Sequence, residues 1–341
     1  MKTGNTPVIT HVTSVLAQDG LVDFNFGLLV DRFWANTIDG LAYGSIYALV
    51  AIGYTLVYGV LRLINFAHSE IFVIGVFATY FAFAAMGFAP GGTAQVALLP
   101  LIGSLLVAGI VAMLASGASA VLLERVAYRP LRKRGAPPLV FLITAIGASF
   151  AIQQIFLITL GGNSQPSIRL LRPTEVFSVF GARVTNIQIL TFVAAIVLMV
   201  VADTFVNRTR LGRGVRAVSQ DPTTATLMGV NRERVFMLTF LLGGVLAGAA
   251  ALFYLMTIPA AAVYNGGFLL GIKAFTAAVL GGIGNLRGAL LGGLVLGVAE
   301  NYGQTFFGGE WRDVIAFVLL IIVLMFRPTG ILGESLAKAR A

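Results

Sequence analysis

Nine apolar runs punctuate the chain, at about 38–61, 66–87, 96–122, 138–160, 186–206, 234–258, 267–283, 288–307 and 311–326. Each approaches the ~20 residues that a helix rising 1.5 Å per residue needs to cross a 30 Å hydrocarbon layer. The 267–283 run is short and holds Lys273, so it reads as a re-entrant or broken segment that leaves eight full spans. The predicted fold is all-α: a polytopic membrane bundle of about eight or nine transmembrane helices. Residues 36–328 form its transmembrane domain, 1–35 an N-terminal extension and 329–341 a tail. In the extension, Val12, Val15, Leu16 and the 21–33 stretch suit either an interfacial helix or a partly ordered terminus. They do not follow the order of a secretory signal peptide.

Composition agrees with lipid as the main solvent. Of the 341 residues, 58% are hydrophobic and 11% charged, against about 25% charged in soluble domains. Such a chain has too little polar surface to face water. The 40 glycines would weaken soluble helices, but in a membrane small residues let helix backbones approach. There is no cysteine, which excludes disulfides, thiolate chemistry and Cys-ligated metals. A net charge of +9 on short loops, with no basic soluble domain, excludes nucleic acid as a partner. No metal or organic cofactor is expected.

The basic residues also orient the chain. Arg125, Arg129, Arg132, Lys133 and Arg134 crowd one polar segment; Arg208, Arg210, Arg213, Arg216, Arg232 and Arg234 crowd another; Arg327, Lys338 and Arg340 lie in the tail. All three read as cytoplasmic, with Arg62 and Arg287 on the same side. The 161–185 loop, with Arg169, Arg172 and Arg183 against Glu175, falls outside.

Four segments carry candidate function. In the first run, Gly40, Gly44 and Ala51 fall within about 40° of one another on a helix, beside a stripe of Tyr43, Tyr47, Tyr54 and Tyr58. The tyrosines serve either as hydroxyls along a translocation path or as packing and interfacial-belt residues. Next, Asn65 is placed to N-cap the second run, with His68 and Glu70 in its first turn. Capping does not explain a His and a Glu entering an apolar segment. Third, the stretch 281–300 spaces Gly284, Gly288 and Gly292 four apart, and Gly293 and Gly297 likewise, an extended GxxxG contact pattern. Glu300 shares the face of Gly293 and Gly297 and should point into the bundle. It either pairs with Lys273 or faces water while Lys273 snorkels. Fourth, within the polar 207–234 loop, Asp221 suits an N-cap, Pro222 the first helical position and Gly229 the stop. The result is a helix of about two turns presenting Leu227 and Met228; the alternative is an ordinary solvated loop. The chain has no GxxxxGK[ST], so it carries no P-loop of its own.

Together these segments resemble the branched-chain amino acid ABC importer permeases of the LivH type. The resemblance rests on Tyr43-Gly44-Ser45-Ile46-Tyr47-Ala48-Leu49-Val50-Ala51-Ile52-Gly53-Tyr54, on Ile64-Asn65-Phe66-Ala67-His68, on the 221–229 segment with Ala225 at its centre, and on Lys273-Ala274-Phe275-Thr276-Ala277-Ala278-Val279-Leu280 running into 281–293. It spans nearly all of 36–328. Ser69 departs from the family's usual Gly after the His. The resemblance implies a non-catalytic subunit of the bacterial inner membrane that translocates branched-chain or other neutral amino acids. It would pair with a paralogous permease subunit, with two cytoplasmic ATPase subunits and with a periplasmic substrate-binding protein. It also implies that 221–229 docks onto an ATPase. Related sequences serve urea and amides. Two other classes compete: an ion-coupled secondary transporter, which would use Glu70, Lys273, Glu300, His68 and Asp203, and an intramembrane enzyme, for which the two histidines and the absence of HExxH leave no constellation.

The charge pattern predicts that single cysteines introduced at residues 133 or 213 are shielded from an impermeant thiol reagent in intact cells, whereas one at 172 is labelled. External labelling at 133 or 213 would reverse the topology.

Overall fold

The computed structural model describes residues 26–92, 97–166, 168, 170–258 and 262–333. The Val12–Leu16 part of the extension, Arg169, Lys338 and Arg340 lie outside the described residues. A short helix α1 (Phe26–Asp31) leads into α2 (Phe33–Leu61), so the first long helix begins a few residues before its apolar run. Then follow α3 (His68–Ala85) and α4 (Leu98–Leu123), which continues through a π-helical turn (Glu124–Tyr128) into α5 (Arg129–Lys133). Next come α6 (Pro138–Leu160), the strands β1 (Glu175–Val179) and β2 (Ala182–Thr185), and α7 (Asn186–Arg208). Two short helices, α8 (Arg210–Gln220) and α9 (Pro222–Leu227), precede α10 (Arg232–Thr257). The chain ends with α11 (Gly266–Gly281), α12 (Leu286–Phe307) and α13 (Arg312–Phe326).

Every apolar run is helical, and the fold is a polytopic helical membrane bundle. Among the described residues, six helices or continuous helical units are long and apolar enough to cross a membrane alone, fewer than the eight or nine runs. The difference lies at the C-terminal end. Helices α11 and α12 qualify together, bent by 119° at the break between them. Helix α13, at 15 residues, rises only about 22 Å. The run counted at 267–283 includes part of a turn in which Gly282 and Gly284 have φ of 103° and 100°. Only glycine enters that region cheaply, and the chain reverses there.

Two further differences have physical causes. The polar stretch after residue 122 is helical, not a loop, and the unit Leu98–Lys133 runs for 36 residues. Hydropathy falls there because the helix leaves the hydrocarbon. The π-helical turn stands directly before Pro130, whose ring and missing N–H disfavour a regular helix. The projecting turns are fastened by ion pairs of Arg132 with Glu124 and with Glu233 (3.1 Å), by Arg129 with Glu233 (3.3 Å), and by the Arg132 guanidinium 4.2 Å over the Phe236 ring. The β1–β2 hairpin was not foreseen. Its turn holds Phe180 and Gly181 at φ 48° and 83°, the left-handed pair that matches strand twist. Phe180 stacks on Trp34 at 4.8 Å.

Helix α2 is the axis of the molecule. Of its most apolar window 83% is buried, against 17% for α6 and 11% for α7, which leaves the latter two to lipid or to other chains. Its longest interface is with α12, and glycine makes it possible. A Cβ on Gly40 would lie 2.5 Å from Val298 Cα, and one on Gly44 2.6 Å from the Gly293 carbonyl oxygen. From the other side, a Cβ on Gly293 would lie 2.6 Å from Ala48 Cα, and one on Gly297 would overlap the Gly40 carbonyl and Gly44. Gly288 and Gly292 serve a second contact, with Gly281 and Ala277 of α11. Gly284 does not continue this stripe. It lies in the turn, and no atom stands within 4 Å of where its Cβ would be.

The two ends of the bundle differ. At one, Arg62 donates to the Ser219 carbonyl (2.9 Å), Arg287 pairs with Asp203 (2.9 Å) and Asn285 Nδ2 donates to the Leu332 carbonyl (3.0 Å). The segments rich in Arg and Lys converge there. At the other, Tyr302 donates to the Phe33 carbonyl (3.0 Å), and Gln188 Nε2 donates to Asp39.

Gly297→Leu should force the α2 and α12 backbones apart and cost upwards of the 1–3 kcal/mol typical of overpacking, roughly. Gly147→Leu, on α6 with no atom within 4 Å, is the control. Thermal unfolding followed by fluorescence-detected size exclusion should show a large fall for the first and little change for the second. Equal midpoints would mean that the α2–α12 contact is looser than described.

Candidate functional site

The sequence candidates gather into three places. The first is a charge network that runs from the middle of α2 and α11 toward the end that carries Phe33. Glu300, on the Gly293–Gly297 face of α12, is fully buried. Its Oε2 accepts from the Tyr47 hydroxyl (2.9 Å) and from Arg312 Nε (3.1 Å), and its Oε1 pairs with Lys273 Nζ (3.2 Å). Lys273 also pairs with Asp313 (2.6 Å). The Arg312 guanidinium lies 4.7 Å from the centre of the Tyr43 ring, and its Nη2 donates to the Tyr47 hydroxyl (3.2 Å). Two cations and two anions therefore neutralise one another across α2, α11, α12 and α13. A lone charge at a helix centre costs about 2.5–3.5 kcal/mol on insertion scales, and this pairing removes most of the reason to expel it. Lys273 is a partner of Glu300 rather than a snorkelling side chain. Arg312 and Asp313 were not singled out from the sequence. Their signal is an adjacent pair of opposite charges in the first turn of the last apolar run.

The second place is at the start of α3. Asn65 is buried, but it does not cap α3: the N-cap position is Ala67, without a side-chain bond. Asn65 Oδ1 instead accepts from the Tyr128 hydroxyl (2.8 Å) on the π-helical turn. The buried Tyr128 hydroxyl needs an acceptor, and Asn65 Oδ1 supplies it. The His68 imidazole is buried edge-on to Tyr54 (4.7 Å) in a slot that glycine creates. A Cβ on Gly53 would overlap His68 Nε2, and one on Gly243 would lie 3.4 Å from its Cε1. Gly53 and Gly243 are thus positioning residues that spacing alone did not reveal. Glu70 is fully buried; its Oε1 accepts from Gln153 Nε2 (2.8 Å), Ser149 Oγ (3.1 Å) and Ser69 Oγ (3.4 Å). This node pins the otherwise exposed α6 to α3.

Tyr43, Tyr47, Lys273 and Glu300 therefore come together, and Asn65, His68 and Glu70 form a separate neighbourhood. The seven-residue step from Tyr47 to Tyr54 places the two sites about 10 Å apart along α2. Both sets lie inside the chain's own bundle.

The third place is α9. Asp221 accepts from the backbone N–H of Thr223 (2.8 Å) and Thr224 (3.2 Å) and from the Thr224 hydroxyl. The hydroxyl bond, followed by the two N–H bonds, holds its carboxyl below the usual carboxylate range, so the cap weakens only on strong acidification. Pro222 occupies the first turn, and Gly229, at φ 85°, ends the element while Val230 N–H donates to the Ala225 carbonyl (3.0 Å). The six-residue helix is shorter than two full turns. Ala225 is buried in a cluster with Val60, Val215, Val218, Val235 and Phe236. Leu227 and Met228 are 82% and 80% exposed.

This is a membrane helix bundle with an exposed apolar pair, Leu227 and Met228, on its basic end. Comparisons with known proteins agree. Residues 36–324 match the family described as the permease component of branched-chain amino acid transport systems. The chain is 44% identical over 307 residues to the high-affinity branched-chain amino acid transport system permease protein BraD of Pseudomonas aeruginosa, covering 89% of this chain and 96% of that one. It is 39% identical over 309 residues to the corresponding LivH protein of Escherichia coli K12, with the same coverage. A probable LivH of Methanocaldococcus jannaschii is 26% identical, over 88% and 92% of the two chains. The chain belongs to the branched-chain amino acid transport permease family.

If Lys273 and Glu300 stabilise each other, Lys273→Ala and Glu300→Ala will be non-additive. Each alone should destabilise by breaking the balance of the network, although Glu300 keeps Arg312 and Lys273 keeps Asp313, and the pair should cost less than the sum by about 0.5–3 kcal/mol. A double-mutant cycle on unfolding free energy tests this, and additivity would remove the direct coupling.

Proposed function

We propose that the chain is the membrane-spanning permease subunit of an ATP-driven importer, moving branched-chain amino acids across the bacterial inner membrane. It works beside a paralogous permease subunit, with two cytoplasmic ATPase subunits below and a periplasmic binding protein above. The substrate is argued from the names of its relatives. The observation that carries the mechanism is α9. The sequence holds no P-loop, so the energy of ATP must enter through a contact. Leu227 and Met228 stand almost fully exposed on a short helix capped at both ends. Apolar anchors of this kind fill grooves in a partner and carry much of an interface's energy.

The same helix has a rigid route inward. Ala225 packs in one cluster with Val60 of α2, and Arg62 just beyond α2 holds the C-terminal turn of α8 through Ser219. A push on α9 therefore reaches α2, and from α2 it passes to α12 through the glycine contact. Tyr47, Lys273, Glu300, Arg312 and Asp313 travel with those helices as a neutral unit. The buried residues Tyr43, Asn65, His68 and Glu70 act in this reading as fixed points of the moving bundle.

Leu227→Asp and Met228→Asp should each abolish ATP-dependent uptake by releasing the ATPase, since losing a hot spot costs about 2 kcal/mol or more. Membrane insertion should be normal, because exposed substitutions change stability by roughly 0.5 kcal/mol or less. Co-purification of the ATPase and uptake by proteoliposomes check both. Full recovery of the ATPase with both variants would place coupling elsewhere.

A further inference from the structure

A cleft of about 510 Å³ opens at the basic end of the bundle, between the C-terminus of α2, α7, α8 and the turn joining α11 to α12. Arg62 and Arg216 line it, and Asp203 is its acidic residue. The Asp203 charge is already matched by Arg287 at 2.9 Å, so the lining carries an excess of positive charge. Arg62 closes α2 in the left-handed region, φ 55°, an uncommon conformation for a residue with a Cβ. That geometry turns its side chain to Ser219 on the far wall. A guanidinium has five N–H donors. Arg62 gives Nη2 to the Ser219 carbonyl, and Arg216 gives Nη1 to Asn207 Oδ1 (3.0 Å). The N-terminus of the 22-residue α12 adjoins the same space through Asn285 and Leu286; Asn285 Oδ1 already accepts from the N–H groups of Arg287 and Gly288, so what this end adds is the positive pole of the helix dipole and not free donors. Tyr58, Val206 and Ile283 supply apolar wall.

Two arginines, a helix N-terminus and apolar walls are the chemistry of a site for a phosphate group that carries hydrocarbon. Soluble phosphate would use the arginines and leave the apolar walls idle. At the end of a membrane bundle the abundant source is a lipid headgroup, and basic pockets between transmembrane helices on the cytoplasmic side suit anionic lipids. We propose that this cleft binds the phosphate of an anionic phospholipid, seated between Arg62 and Arg216 beside the α8–α9 docking element. The lipid would brace the Arg62–Ser219 link that ties α8 to α2.

The test is native mass spectrometry of the full chain in detergent, equilibrated with phosphatidylglycerol or phosphatidylcholine, with and without excess inorganic phosphate. Phosphatidylglycerol adducts should survive activation where phosphatidylcholine adducts do not. Arg62→Gln/Arg216→Gln should weaken retention at least about tenfold, since charge-assisted bonds to phosphate are the strong ones. Arg216→Gln alone, at an exposed position, should show a smaller loss and keeps the test valid if the double variant fails to fold. Equal retention of the two lipids, or retention unchanged in Arg216→Gln, would overturn the site. Displacement of phosphatidylglycerol by inorganic phosphate would overturn the lipid assignment and leave a free-phosphate site.

Discussion

Hydrocarbon gives membrane helices no hydrophobic reason to associate, so the bundle depends on how closely α2 and α12 can approach. Gly40 and Gly44 meet Gly293 and Gly297 at backbone distance. That approach sets where everything else can stand. It places Tyr47 against Glu300, which brings Lys273, Arg312 and Asp313 into reach of one another. Were the two helices spaced by ordinary side chains, the Tyr47–Glu300 bond would open and Glu300 would lose part of its neutralisation. The glycines and the charges are therefore one device: the first supplies proximity, and the second makes proximity specific.

The same economy of volume recurs along α2. Gly53 opens a slot for His68, and Gly243 of α10 completes it. Farther out on α10, Gly244 and Gly248 admit Ser116, Ala112 and Gly117 of α4. Helices α4, α6 and α7 lie at the edge and present most of their apolar surface outward. The inner helices are joined backbone to backbone. The outer α6 is held by a polar clasp, Glu70 to Ser149 and Gln153. A bundle made this way is stiff at its axis and more loosely attached at its rim.

Much of this was legible in the sequence, for identifiable reasons. Apolar runs report where helices cross, and every run is helical. Caps are local, so Asp221, Pro222 and Gly229 marked α9 without knowledge of the fold. The cost of an isolated charge made the pairing of Lys273 with Glu300 one of two readings, and the structure holds that pair. What escaped depends on contacts distant in sequence. Asn65 resembled a cap because Tyr128, its partner, is 63 residues away. Gly284 fitted a four-residue period that the turn at Gly282 interrupts. The helix through Lys133 was hidden because hydropathy reports the solvent, and a helix continues unchanged when its solvent becomes water. The slot for His68 needs three helices to exist at all.

Ser69 has a bearing on the history of such chains. Its side chain occupies the space that a Cβ on Gly271 would take, and the two helices share one volume at that point. In this background Gly271 cannot gain even a methyl group unless Ser69 first loses its own side chain. A glycine at position 69 would remove that clash. The two positions are thus bound in an order of substitution: any side chain at 69, through its Cβ, denies one to 271, and 271 can gain a methyl group only after 69 has become glycine.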